Sequence, residues 1–165
     1  MPIPTMDDVA KQPLEQRLAR MARTPDDLAA ALEGQPETAV GRRPDAKSWC
    51  AKEVVCHLRD TEESFMTRFQ AIAAMSEPRF TGVDPDRWAA ERQYQRNDTA
   101  EALEAFRRRR QESLDYLRGV GPDGWQRGGI HPTRGRMTVN DVVTLMAWHD
   151  DNHLDQLRRA LPGKP

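Results

Sequence analysis

The sequence predicts an all-α protein built as a four-helix bundle, and three observations support this fold class. Apolar residues recur every three or four positions in four long segments, which is the spacing of amphipathic helices. No stretch alternates apolar and polar residues as a half-buried strand does, so we expect no strands. The 165 residues are 38% hydrophobic and 31% charged, which suits a single domain over residues 1–165 with a buried core.

Capping residues mark the first two helical segments. Residues 6–32 form the first segment, and we expect it to break at Thr24, because Pro25 favours the first turn of a new helix. A loop follows, and the second helix begins at Cys50, the N-cap of a capping box that Glu53 completes. The side chains that this helix buries are Val54, Leu58, Thr61, Phe65, Phe69 and Ile72.

Two long connections flank the third helix. Residues 76–97 precede it and carry a short helix of their own, and the glycine-rich stretch RGVGPDGWQRGGIHPTRGR follows it. Asp98 caps the third helix. Its buried side chains are Leu103, Phe106, Leu114 and Leu117. Thr138 and Asp141 form the capping box of the fourth helix, which ends near Leu161. Connections of about twenty residues are long for helical hairpins, so at least one should cross the bundle.

Three of the four histidines lie on the inward faces of these helices. His149 and His153 are one turn apart and continue the apolar line of the fourth helix. His57 lies on the buried line of the second helix. One inward histidine is most often a satisfied core residue, but three together need partners, because an unpaired buried imidazole costs about 1–3 kcal/mol. One divalent ion would satisfy all three, so the spacing favours a metal site formed by His57, His149 and His153.

The depth of these histidines in their helices predicts the path of the chain. His57 lies about 10 Å into the second helix, and the midpoint of His149 and His153 lies about ten residues before the end of the fourth. The three side chains meet only if these helices run antiparallel. An up-down-up-down bundle would make them parallel, so we predict an up-down-down-up path with residues 76–97 as a long crossover connection.

Several motifs occur in the order that characterises a known family. They are WCAKEVVCHLRDTEESFMTRF in the second helix, the Tyr and Asp of YQRND before the third, and HPTRGRMTVNDVVTLMAWHDDNHLDQL around the fourth. The most specific parts are HL.D and H...HL.Q. With them, residues 14–161 resemble the DinB/YfiT-like metalloenzyme superfamily. The resemblance implies the same bundle path, frequent dimers and one divalent metal ion held by His57, His149 and His153. The family often has Ser where Cys50 stands, which weakens this cap but affects no ligand.

The known activities of the family indicate how such a site would work. They include hydrolysis and transfer reactions with low-molecular-weight thiols such as bacillithiol, mycothiol or glutathione. Three neutral nitrogen ligands leave a nickel, zinc, iron or manganese ion its full charge and open positions, whereas a structural zinc site usually has four protein ligands. We therefore expect a metal-dependent transferase or hydrolase acting on a small electrophilic substrate. The alternative is a non-catalytic metal-binding, stress-response or interaction protein.

Five further residues are candidates for roles near the metal. His131, in the loop before the fourth helix, is either solvent-exposed or lines the mouth of the site and carries protons, as the family pattern implies. Arg110 and Arg68 fall on buried helix faces, where each is either part of an ion pair or a clamp for a substrate carboxylate. Asp60 and Asp150 are either surface acids or partners that orient a ligand imidazole.

Two other enzyme or binding classes are disfavoured. HDDNH resembles the protease motif HExxH, but Asp150 replaces the Glu that acts as base and no third ligand follows. The four arginines 107–110 fan around their helix, and 25 basic residues oppose 26 acidic ones. We therefore expect a small-molecule substrate and no nucleic-acid partner.

The remaining expectations concern location and assembly. No apolar run approaches the roughly 20 residues that span a bilayer, and no signal peptide is recognised, so we expect a cytoplasmic protein without a membrane segment. Cys50 and Cys56 are badly placed to bridge each other, which agrees with a reducing compartment. A homodimer is implied by the family, and an exposed cluster of Phe80, Trp88 and Trp125 would mark its interface.

Overall fold

The computed structural model describes residues 2–165, which form seven α-helices, two 3-10 helices and one β-hairpin. The α-helices are α1 (Met6–Lys11), α2 (Leu14–Leu32), α3 (Glu37–Val40), α4 (Ala51–Ala74), α5 (Pro85–Glu91), α6 (Thr99–Arg118) and α7 (Val139–Ala160). The 3-10 helices are Tyr94–Arg96 and Pro122–Gln126, and the strands are β1 (Gly128–His131) and β2 (Gly135–Thr138). The long helices α2, α4, α6 and α7 form the four-helix bundle.

Helices α2 and α7 lie side by side and run parallel. Arg17, in the first turn of α2, donates a hydrogen bond of 2.7 Å to Thr144 in the early part of α7. Two turns further along α2, Thr24 donates a hydrogen bond of 2.6 Å to Asp150, further along α7. Both pairs advance in the same direction along the two helices. The first and fourth helices of the bundle therefore share one direction.

Helices α4 and α6 also run parallel. Arg109 in the middle of α6 donates to the carbonyl oxygen of Arg59 at 2.8 Å, and Tyr116 near its end donates to the carbonyl oxygen of Phe69 at 3.4 Å. Because α4 and α6 are consecutive long helices of the bundle, residues 75–98, which include α5, must return along the bundle between them. Arg107 of α6 pairs with Asp26 of α2, and Arg110 further along α6 bonds Met21 earlier in α2, so α2 and α6 run antiparallel. The predicted up-down-down-up path, with its crossover connection, is confirmed.

The predicted break of the first helix at Thr24 is wrong. Helix α2 continues through Pro25. The helical segment is interrupted earlier, between α1 and α2, where Pro13 is the N-cap of α2. Pro25 has no N–H with which to bond the carbonyl oxygen of Met21, and the Arg110 guanidinium donates to that oxygen instead, at 2.8 Å. A tertiary contact therefore satisfies the group that the proline leaves free.

The expectation that the protein has no strands is also wrong. Strands β1 and β2 pair antiparallel inside the glycine-rich stretch before α7, and Gly135 at their turn has a φ of 76°. The crossover joins this hairpin, because Phe80 donates its backbone N–H to Ile130 at 2.9 Å and Ile130 donates to Pro78 at 2.8 Å. A Cβ at Gly129 would lie 2.5 Å from the Phe80 ring, so a glycine is required for this close approach.

The apolar residues expected at a dimer interface pack inside their own chain. Phe80 is buried, and Trp88 and Trp125 are half-buried against the core. The exposed cluster of these three residues is therefore not formed; Ile3 and Met75 are the large apolar side chains that stay exposed in residues 2–165. None of the helices in the described part of the chain combines the length and apolar character required to cross a membrane.

Candidate metal centre

His57 on α4 meets His149 and His153 on α7 in the interior of the bundle. Antiparallel packing brings the early part of α4 beside the later part of α7, as the depths of the three histidines predicted. The Nε2 atoms of His57 and His149 lie 3.0 Å apart, and one ring nitrogen of each histidine lies within 4.8 Å of the others. The structure therefore brings together the three residues that the spacing selected.

The three imidazoles are neutral at physiological pH. Burial, reinforced by the neighbouring His153, lowers the pKa of His57 to about 3 against the opposing effect of Asp60. Burial and the other two histidines hold the pKa of His149 well below its usual value, and burial also lowers the pKa of His153. A neutral imidazole keeps one nitrogen lone pair free, which is the form that binds a metal ion.

Neighbouring side chains hold the rings in place. The amide oxygen of Gln156 lies 2.8 Å from Nδ1 of His153, so Nδ1 carries the proton and Nε2 keeps its lone pair. Trp49 stacks on His153 with ring centroids 6.4 Å apart and also contacts the ring of His57 at 4.9 Å. Gln156 belongs to the motif H...HL.Q, but its role requires the rotamer of His153 and was not predicted.

The donor set fits a single divalent ion. Two nitrogens that each lie 2.0–2.1 Å from a tetrahedral ion are about 3.3 Å apart, close to the 3.0 Å between His57 and His149. Nδ1 of His57 is buried and has no hydrogen-bond partner among residues 2–165. Within the same part of the chain, no Cys, Asp or Glu joins the three histidines as a fourth ligand-type group. The Nε2 atoms of His57 and His149 therefore have only each other within the described chain, or an ion, as partners.

A cavity of about 300 Å³ opens beside this cluster and reaches His57 and His149. His131, at the end of β1, lines the cavity, so the structure places it at the mouth of the site. Its Nδ1 accepts backbone N–H groups of Thr133 and Arg134 at 3.1 and 3.2 Å, so in the neutral ring Nε2 carries the proton. Burial, Arg68 and Arg134 lower the pKa of His131.

Arg110 lies away from this cavity, in a buried ion-pair cluster. Its guanidinium donates two hydrogen bonds to Glu62, of 2.9 and 2.8 Å, and two to Asp150, of 2.5 and 3.0 Å. The fifth donor bonds the carbonyl oxygen of Met21. All five N–H groups are therefore occupied, and none is available to a substrate. Of the two predicted roles for Arg110, the structure shows the ion pair.

Asp60 and Asp150 are neither surface acids nor partners of the ligand histidines. Asp150 is fully buried against Arg110, and Asp60 is 5% exposed and bonds Arg59 and Tyr94 at 2.8 Å each. Both expectations for these two residues were wrong, because Asp150 pairs with Arg110 on another helix, and Asp60 pairs with Arg59 beside it and with Tyr94 and Arg92 from the crossover. Two other members of the arginine run 107–110 also form ion pairs, Arg107 with Asp26 and Arg109 with Asp60.

Comparisons with known proteins agree with this architecture. Two curated relatives from Oceanobacillus iheyensis, each named "Putative metal-dependent hydrolase", are 24% identical over 108 residues and 23% identical over 125 residues. The matches cover 64% and 69% of this chain but 61% and 65% of the relatives, so the chain spans less than two thirds of their length.

A solved structure shows the same fold. YfiT from Bacillus subtilis, described as a probable metal-dependent hydrolase with an unusual four-helix bundle topology, superimposes with a TM-score of 0.83. The two sequences are 18% identical, and the alignment covers 95% of this chain and 87% of YfiT. A family model described as the DinB superfamily matches residues 20–157, which is most of the chain. The protein therefore belongs to the DinB superfamily.

Proposed function

We propose that the protein is a metal-dependent enzyme that holds one divalent ion with His57, His149 and His153 and acts on a small electrophilic substrate. One observation carries the proposal: three neutral imidazoles converge without a fourth protein ligand from residues 2–165, and the cluster opens onto a cavity. A structural metal site is normally closed by four protein ligands. The arrangement therefore favours a site with positions left for water, a thiol or a substrate.

The surrounding residues would support hydrolysis or thiol transfer. A bound ion would lower the pKa of a water molecule or thiol and so supply the nucleophile. Gln156 and Trp49 hold the His153 ring, and Phe65 packs edge-on against His149 with ring centroids 5.8 Å apart. Nε2 of His131 carries a hydrogen in the neutral ring and would donate a hydrogen bond to a substrate or leaving-group oxygen at the mouth of the cavity.

Hydrolysis is the reaction that the named relatives favour, and thiol transfer is the second candidate. The alternative class, a non-catalytic metal-binding or interaction protein, would require only that the ion join α4 to α7. That alternative does not account for the cavity beside His149. A homodimer also stays a prediction of the family, and light scattering at micromolar concentration that gave the mass of one chain would contradict it.

Metal content and activity test the proposal together. We expect zinc-loaded protein to bind one ion per chain, His57→Ala to lose it, and the control variant His131→Ala to retain it, as measured by elemental analysis after gel filtration. A panel of esters, amides and thiol–electrophile pairs should react faster with loaded than with stripped protein. Full metal retention by His57→Ala would exclude the site, and equal rates in a folded, stripped protein would exclude the enzyme.

A further inference from the structure

Arg68 is a buried cation that lacks an acidic partner. It is 9% exposed, and its guanidinium lies between the rings of Phe65 and Phe80, 5.5 Å from each centroid. Its one hydrogen bond is a long contact of 3.5 Å from Nη2 to the carbonyl oxygen of Thr81, and its buried Nε has no partner. No carboxylate among residues 2–165 lies within ion-pair distance of it. Arg110, by contrast, has all of its donors engaged.

A buried charge without a partner is unfavourable, so its presence requires an explanation. Burial, together with the nearby Arg134, lowers the pKa of Arg68, but a guanidinium stays charged at neutral pH. The side chain lines the same cavity that reaches His57 and His149. Arg68 therefore presents unused N–H donors and a positive charge next to the candidate metal centre.

The charge of the cavity points the same way. Its charged lining residues are Arg68 and Arg134, and no Asp or Glu of the described chain contributes to it. His131 also lines the cavity, and burial, Arg68 and Arg134 lower its pKa, so it adds no positive charge at neutral pH. A cavity with this lining attracts an anion and disfavours a cationic ligand.

We infer that Arg68 binds a carboxylate group of the substrate and so places the reacting part of that molecule beside His149. The inference deepens the proposed function, since it names the substrate class of the same site. A carboxylate fits because Nη1 has no hydrogen-bond partner among residues 2–165 and Nη2 has only the long contact to Thr81, and these two groups form a planar pair of donors that binds two carboxylate oxygens. The volume of about 300 Å³ restricts the ligand to a small molecule.

Binding of a simple carboxylate tests the inference without any need for activity. Benzoate and its neutral analogue benzamide are titrated into zinc-loaded and metal-stripped full-length protein, and the Arg68 Nε–H resonance is followed by NMR. We expect saturable binding of benzoate in both forms, at least about tenfold tighter than benzamide. Detection in the stripped form separates Arg68 from coordination of benzoate by the ion, so the result does not depend on the proposed function.

Variants distinguish a binding role from a structural one. Arg68→Met keeps the long side chain between Phe65 and Phe80 and should weaken benzoate binding at least about tenfold. It should not lower the melting temperature, because it removes an unpaired buried charge. The control Arg158→Met removes an exposed arginine on a different helix, α7, and should bind benzoate as the natural protein does.

Three outcomes would overturn a ligand-binding role for Arg68, and a fourth would overturn the choice of a carboxylate as its ligand. The first three are unchanged benzoate binding by Arg68→Met, binding of benzamide as tight as that of benzoate, and a large loss of stability in Arg68→Met. Tighter binding of inorganic phosphate than of benzoate through Arg68 would overturn the assignment of a carboxylate.

Discussion

Arg110 and Asp150 are joined by two hydrogen bonds, of 2.5 and 3.0 Å, at the centre of the bundle, where both side chains are almost completely buried. Glu62 binds the opposite edge of the same guanidinium. Helices α4, α6 and α7 each contribute one of these residues, and α2 contributes the carbonyl oxygen of Met21. One guanidinium therefore connects all four long helices.

Removal of Arg110 should severely destabilise the protein. Arg110→Met leaves the carboxylates of Glu62 and Asp150 buried without their cation, and we expect the free energy of unfolding to fall by about 3–5 kcal/mol. Urea denaturation at neutral pH measures this change. Arg108→Met, an exposed position on the same helix, is the control and should change stability by less than about 0.5 kcal/mol. Equal effects of the two variants would show that the cluster is not a major source of stability.

The stability of the protein should depend on pH through Asp60. Burial alone would raise the pKa of Asp60, but hydrogen bonds from Arg59, Tyr94 and Arg92 lower it from 3.8 to about 2. A carboxyl whose pKa is lowered on folding stabilises the folded state above its unfolded pKa, by about 2 kcal/mol here, and this contribution disappears as the pH falls through the folded pKa.

The difference in unfolding free energy between the natural protein and Asp60→Asn should therefore narrow as the pH falls from about 5 to 2. Chemical denaturation at several pH values in this range measures it. A difference that stays constant with pH would contradict the lowered pKa of Asp60.

Gln156 should determine metal affinity through the ring of His153. Gln156→Leu removes the acceptor for the His153 Nδ1–H, and we expect metal affinity to fall about tenfold to a hundredfold, as is typical when a partner of a ligand imidazole is lost. Gln156→Glu keeps an acceptor oxygen and should retain most of the affinity. Competition with a chromogenic chelator measures both. Equal metal affinities of the Leu and Glu variants would show that the hydrogen bond from His153 to residue 156 does not contribute to metal binding.

Cys50 and Cys56 should be unreactive in the folded protein. Both are free and buried, and burial raises the pKa of each thiol to about 11, so that the reactive thiolate is scarce at neutral pH. A chromogenic disulfide reagent should react with neither thiol in the native state and with both in urea. Rapid reaction of one thiol without denaturant would show that its region opens readily.

Helical periodicity was sufficient to find the histidine cluster, because the two helices that carry it are long and their spacing fixes which side chains face inward. His149 and His153 lie one turn apart on any helix, and the depth of His57 then determined that α4 and α7 run antiparallel. The chain path followed from the same comparison. These properties depend on local geometry, which a single sequence contains.

The features that were not predicted depend on partners distant in sequence. Asp150 resembles a surface acid until Arg110, 40 residues away, is packed against it. Thr24 and Pro25 have the sequence of a helix start. The helix nevertheless continues there, because Arg110 on another helix donates to the carbonyl oxygen of Met21 that Pro25 leaves without a donor. The hairpin was missed because its strands have four residues each and contain glycines, too short for alternation to be visible.

The separation of the candidate ligands along the chain has a consequence for the order of assembly. His57 and His149 are 92 residues apart, and the crossover, α6 and the hairpin lie between them. Closing so long a loop has an entropic cost, and this cost is offset only by the contacts that form when α7 docks against α4. We therefore expect the cluster to form late in folding, after most of the bundle has assembled. An ion bound there would slow unfolding while leaving the rate of folding nearly unchanged.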